Sequence, residues 1–106
     1  MKMEFDTNEY VKKIAGGKHY FHTFVNRETI AAGILRLAPG EKDTQSTHDS
    51  DEIYYVVRGD GFLKVGGKDY GISPGMAYLV TKNTEHKFHG NTTDLVVIYF
   101  FGGPDS

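Results

Sequence analysis

Turn signals cut this chain into short pieces, and nothing else in it limits the possible folds so strongly. Pro39-Gly40, Gly59-Asp60-Gly61, Gly66-Gly67, Ser73-Pro74-Gly75 and Gly90-Asn91-Thr92-Thr93-Asp94 fall at close intervals, and each favours a reversal of direction. Between the turns lie runs rich in β-branched and aromatic residues: His19 to Val25, Ile30 to Leu37, Ile53 to Val57, Phe62 to Val65, Lys68 to Ile72, Met76 to Val80, His86 to His89 and Leu95 to Phe101. Runs of this kind prefer strands. Strands so short and so closely punctuated predict an all-β sandwich or barrel. The thirteen glycines suit tight turns better than long helices.

One segment reads differently. Asp6-Thr7-Asn8-Glu9 offers a capping residue with a glutamate three positions on, ahead of Tyr10, Val11 and Ile14, which predicts a short helix. Gly16-Gly17 is expected to end it. The expected organisation is a helical extension over 1–17 and one barrel domain over 18–106, since 106 residues suffice for a single core. The chain has no cysteine, which excludes disulfides, thiolate nucleophiles and sulfur-ligated metals. The net charge is −2 and basic residues never run beyond pairs, so no nucleic-acid footprint is present. The opening residues lack the apolar run of a signal peptide, and the longest apolar stretch, Leu95 to Phe101, is too short to span a membrane. A soluble cytoplasmic protein is the expectation.

Chemistry enters through His48, Glu52 and His86. Two imidazoles and a carboxylate can hold one divalent ion, such as iron, manganese, zinc or nickel, and leave positions open. If the strand ran regularly, Ser46, His48, Glu52 and Tyr54 would share a face. Asp49-Ser50-Asp51 reads as a bend, so that parity is not guaranteed. His89 is expected at the surface, because it stands an odd number of residues from His86; His22 either lines the barrel or, as the polar type favours, lies at the surface.

The spacing around these residues resembles the two motifs of the cupin superfamily. Gly40 is followed after five residues by Ser46-Thr47-His48, after three more by Glu52, and after six more by Gly59. The second stretch runs from Gly75 through Thr81, Lys82 and Asn83 to His86. This resemblance implies a cupin-type double-stranded β-helix (jelly-roll) barrel that binds one metal ion inside. It carries His48, Glu52 and His86 over as ligands. The first histidine of the family's His-x-His pair is Ser46 here, a poor ligand. The fourth position is open between Gln45, turned inward by a bulge, and water. Thr81 and Asn83 replace a proline and a glycine of the second motif, and Gly90, followed by Asn91, stands where the motif closes on asparagine.

The resemblance further implies a metal-dependent enzyme of oxygenase, isomerase or lyase type acting on a small polar metabolite, with Tyr54 or Tyr78 as proton donor. The alternatives are a small-molecule-binding module without turnover and a metal-free structural barrel. Tyr54, Tyr78, Phe88 and Tyr99 either wall a ligand cavity or form core. Apolar strand faces at Phe62, Leu63 and Tyr70, if exposed, would make the protein a homodimer.

Overall fold

The computed structural model describes residues 1–15 and 19–105. Helix α1 (Thr7–Ala15) is followed by β1 (Phe21–Asn26), β2 (Ala31–Leu37), β3 (Glu52–Arg58), β4 (Phe62–Val65), β5 (Lys68–Gly71), β6 (Ala77–Val80), β7 (His86–His89) and β8 (Leu95–Phe101). All strand pairs are antiparallel. One sheet has the order β1-β2-β8-β3-β6 and the other β5-β4-β7, so the fold is the expected two-sheet β-structure with one short helix. The helix end expected at Gly16-Gly17, and with it the boundary at 17, lie outside the described residues.

Side-chain alternation decides which residues face the barrel. On β3, Glu52, Tyr54 and Val56 are buried while Ile53, Tyr55 and Val57 are exposed. On β8, Leu95, Val97, Tyr99 and Phe101 join the same interior cluster as Leu35, Leu37, Leu63 and Phe88. The outer face of β2 and β8 is buried as well, because α1 lays Val11 and Ile14 on Ile34 and Val96. Strands covered on both sides need apolar residues at every position, which accounts for Leu95 to Ile98; Phe100, beyond the helix, stays exposed. The Asp6 carboxylate caps the helix by accepting the Asn8 N–H at 3.0 Å.

Gly33 and Gly59 are both required by close approach. At Gly33 a Cβ would fall 2.2 Å from the Tyr99 ring, so the bare backbone of β2 lets that ring lean across toward β1. Gly59 has φ 112°, and its Cβ would meet the Leu95 backbone at 2.7 Å. It follows the irregularity in pairing between Val56 and Arg58 on β3. Leu63 is not a surface residue: it is fully buried at 0% exposure, because β4 turns it into the core and its neighbour Phe62 outward. Phe62 and Tyr70 are exposed as expected.

Candidate metal centre

The barrel interior brings together the three residues singled out by spacing. The ligand atoms of His48, Glu52 and His86 lie within 4.8 Å of one another. His86 Nε2 is 3.4 Å from Glu52 Oε1 and His48 Nε2 is 4.0 Å from it. Glu52 and His86 point inward from β3 and β7 and their side chains are each 1% exposed.

His48 arrives by another route. Residues 38–51 form no strand, so strand parity does not place it. The Asn83 N–H donates to the His48 carbonyl at 2.7 Å and the Gly102 N–H to the Asp51 carbonyl at 3.0 Å. The Asp51 carboxylate accepts the Lys82 N–H at 2.9 Å. Asn83 has φ 61°, a left-handed conformation that asparagine tolerates in place of glycine. The departure from the family's second motif thus preserves a turn that pins the His48 segment.

The electrostatics suit a cation. His86 Nδ1 lies 2.9 Å from the Thr84 carbonyl; only a protonated Nδ1 can donate there, so Nε2 presents a lone pair to the site. Burial lowers the His86 pKa, which keeps that ring neutral. Both Glu52 oxygens and His86 Nε2 are buried without a hydrogen-bond partner, an arrangement native interiors rarely leave uncompensated. Burial pushes the Glu52 carboxyl up to about 8; the nearby Tyr54 hydroxyl, although its proton is directed to Gln45, pulls it back, while Asp105 and Asp43 add to the rise. A carboxylate and two imidazole nitrogens around one point are the donor set that a divalent ion requires, so the residues present fit such an ion.

A pH dependence follows for the metal-free protein. A raised carboxyl pKa means the folded state holds its proton more tightly than the unfolded chain. That contribution is complete below the ordinary 4.5 and is lost as pH rises toward about 8. The lowered His86 pKa acts oppositely, but only below its ordinary 6.5. Between pH 6.5 and 8, stability in the presence of a chelator should therefore fall, by up to about 1.4 kcal/mol per pH unit. Urea midpoints across that window read it; a flat or rising series would contradict it.

Around these three side chains runs a second set of contacts. Tyr54 is fully buried and its hydroxyl donates to Gln45 Oε1 at 3.0 Å. Burial holds the Tyr54 phenol well above its ordinary range, so it remains a donor. Gln45 Nε2 in turn donates to Asp43 Oδ2 at 2.8 Å. Asp43 also accepts the Phe88 N–H at 2.9 Å and the Tyr20 hydroxyl at 2.9 Å. Gln45 is thus clamped at both ends of its amide, with one lone pair of Oε1 left over. Ser46 lines the cavities on both sides of this segment. Tyr78 lies opposite Tyr54 across β3 and β6, and its hydroxyl donates to the Gly71 carbonyl at 3.1 Å. His22 is exposed, and His89 sits 2.8 Å from Asp69 at the surface.

A cavity of about 290 Å³ opens onto His48 and Gln45, lined also by Leu35, Tyr99, Phe101 and Asp105. Asp43 and Asp105 were not evident as site residues. Asp43 sits in the charged loop Glu41-Lys42-Asp43 and Asp105 in a short polar segment after β8, and neither has a local pattern that marks it.

With the barrel and its triad described, comparison with known proteins gives the class. The family described as Cupin domain matches residues 33–101, and the chain belongs to that family. An uncharacterized protein of Streptomyces coelicolor is 29% identical over 102 residues, covering 96% of this chain and 97% of its own. The crystal structure of TT1209 from Thermus thermophilus superposes with TM-score 0.75 at 17% identity, over 95% of this chain and 98% of that one. A predicted oxalate decarboxylase from Thermotoga maritima gives TM-score 0.62 at 24% identity, over 69% of this chain and 65% of that one. These structures share the fold.

Proposed function

We propose that this cupin holds one divalent metal ion through His48, Glu52 and His86 and is a metal-dependent enzyme of the oxygenase, isomerase or lyase classes, acting on a small polar molecule in the 290 Å³ cavity. The observation that carries the proposal is the pair of Glu52 oxygens buried without a partner beside two imidazole nitrogens. A bound divalent ion would supply Lewis acidity toward a ligand oxygen and open coordination positions. The chain's own residues do the rest. Gln45, held at both ends of its amide by Asp43 and Tyr54, supports the site from beside it. Tyr54 stays protonated and is the proton donor of the proposal. Tyr78, committed to Gly71, supports the wall next to it. Phe101, with its ring 4.7 Å from that of His48, keeps water from one side of the site.

Melting curves test the reading. Metal-free protein titrated separately with manganese, iron(II), nickel and zinc should gain about 2.7 kcal/mol at a hundredfold excess over the dissociation constant. For a domain of this size that is roughly 10 °C or more. Unchanged melting with all four ions would contradict it.

The proposal extends to a homodimer. Helix α1 covers only the β1-β2-β8 side of the large sheet. Beyond it Ile53, Tyr55, Val57, Leu79 and Phe100 remain exposed, Leu79 at 60%. Ile53 pairs with both Leu79 and Phe100, so these side chains form a continuous apolar face suited to a second copy. Leu79→Asp should convert the dimer to a monomer in sedimentation velocity; a wild type that is monomeric at micromolar concentration would contradict the dimer.

A further inference from the structure

The cavity at the metal site carries a carboxylate that the ligand set does not use. Asp105 lines it together with His48, Gln45 and Tyr99, and among the described lining residues there is no lysine or arginine. Asp105 is half-buried and held from two sides. Its N–H donates to Asn26 Oδ1 at 2.9 Å, and its Oδ2 accepts the Thr23 hydroxyl. The Thr23 oxygen in turn takes the Tyr99 hydroxyl at 2.7 Å, which reaches β1 only because Gly33 lacks a side chain beneath the ring. Among the described residues Asp105 Oδ1 has no protein hydrogen-bond partner. A bonded, positioned carboxylate with one free oxygen is an acceptor looking for a donor.

We propose that Asp105 determines ligand specificity: it admits molecules that bring a hydroxyl or ammonium group to this side of the cavity and opposes those that bring a second carboxylate. The inference rests on the metal reading above, since the first end of the ligand is taken to bind at the ion. Charge decides it. Asp43 and Asp105 lie near enough to Glu52 to act on its charge, so a divalent ion at the triad would already meet three carboxylates. Among the described residues no lysine or arginine lines this cavity to receive a further anion; Lys64 and Lys87 line the separate cavity beyond Gln45 and Ser46. Like charges a few ångströms apart in a partly desolvated space repel by an amount equivalent to about a several-fold change in affinity. A monoanion or neutral molecule with a hydroxyl or amine arm suits the site; a dicarboxylate does not.

The test uses cobalt(II)-loaded protein and two four-carbon anions of similar size, 4-hydroxybutyrate and succinate, titrated by visible absorption. Each can bind the ion through one carboxylate and extend its other end, a hydroxyl in the first and a second carboxylate in the other. Asp105→Asn keeps an oxygen for Thr23 and removes only the charge. The substitution should tighten succinate relative to 4-hydroxybutyrate by about fivefold or more, with the cobalt stoichiometry of wild type. A dissociation-constant ratio within about twofold of wild type, or equal weakening of both anions, would overturn the assignment. Wild-type protein that takes up no cobalt would overturn the metal reading and this inference with it; uptake of cobalt with an unchanged ratio would overturn the specificity role alone.

Discussion

In metal-free protein at pH 8, Glu52→Gln should stabilise the fold by about 2 kcal/mol, a rise in melting temperature of roughly 10 °C. The carboxyl is buried, its pKa is pushed up to about 8, and its oxygens have no hydrogen-bond partner. The folded protein at this pH therefore bears most of the cost of ionising a group that titrates near 4.5 when unfolded. Glutamine keeps the shape and removes the charge, although its own unpartnered amide takes back part of the gain. The same substitution should abolish stabilisation by added metal. A residue that weakens the empty fold and strengthens the loaded one is the signature of a site kept for function. Differential scanning calorimetry with and without chelator reads both effects. Destabilisation by Glu52→Gln in the chelated protein would instead mark Glu52 as a structural hydrogen-bonding residue.

The second large effect separates the ligands from their supports. His86→Ala should weaken metal binding by at least about a hundredfold, since it removes a neutral, oriented nitrogen from the triad. The Thr84 carbonyl already fixes that ring at 2.9 Å, so little ordering remains when the ion binds. Gln45→Ala should cost only about tenfold, in the range of supporting residues, because its amide is mainly a link between Tyr54 and Asp43. Competition against a chromophoric chelator gives both constants. Equal losses in the two variants would make Gln45 a full ligand; no loss in His86→Ala would remove His86 from the site.

Most of the scaffold was legible because its signals are local. Each β-branched or aromatic run between turn residues became a strand, down to His86–His89 and Leu95–Phe101 with unchanged limits. Glu52 and His86 were placed by motif spacing and sit on strands, where alternation carries side chains inward predictably. His48 was singled out by spacing and lies beside Glu52 and His86, but regular strand parity does not place it. It belongs to an irregular segment positioned by Asn83, more than thirty residues away in sequence. Leu63 was grouped with exposed residues because Phe62-Leu63 does not reveal which side of a four-residue strand faces the core. Asp43 and Asp105 were invisible for a further reason. Both reach the site through contacts across the barrel, Asp43 to Phe88 and Asp105 to Thr23, and such pairings exist only once the sheets have closed.

The central claim is that His48, Glu52 and His86 hold one metal ion, and metal content measured by inductively coupled plasma mass spectrometry on untagged protein tests it most directly. The account predicts close to one divalent ion per chain in the wild type, lost in His86→Ala. Wild-type protein that contains no metal, and acquires none after reconstitution with iron, manganese, nickel or zinc, would contradict it.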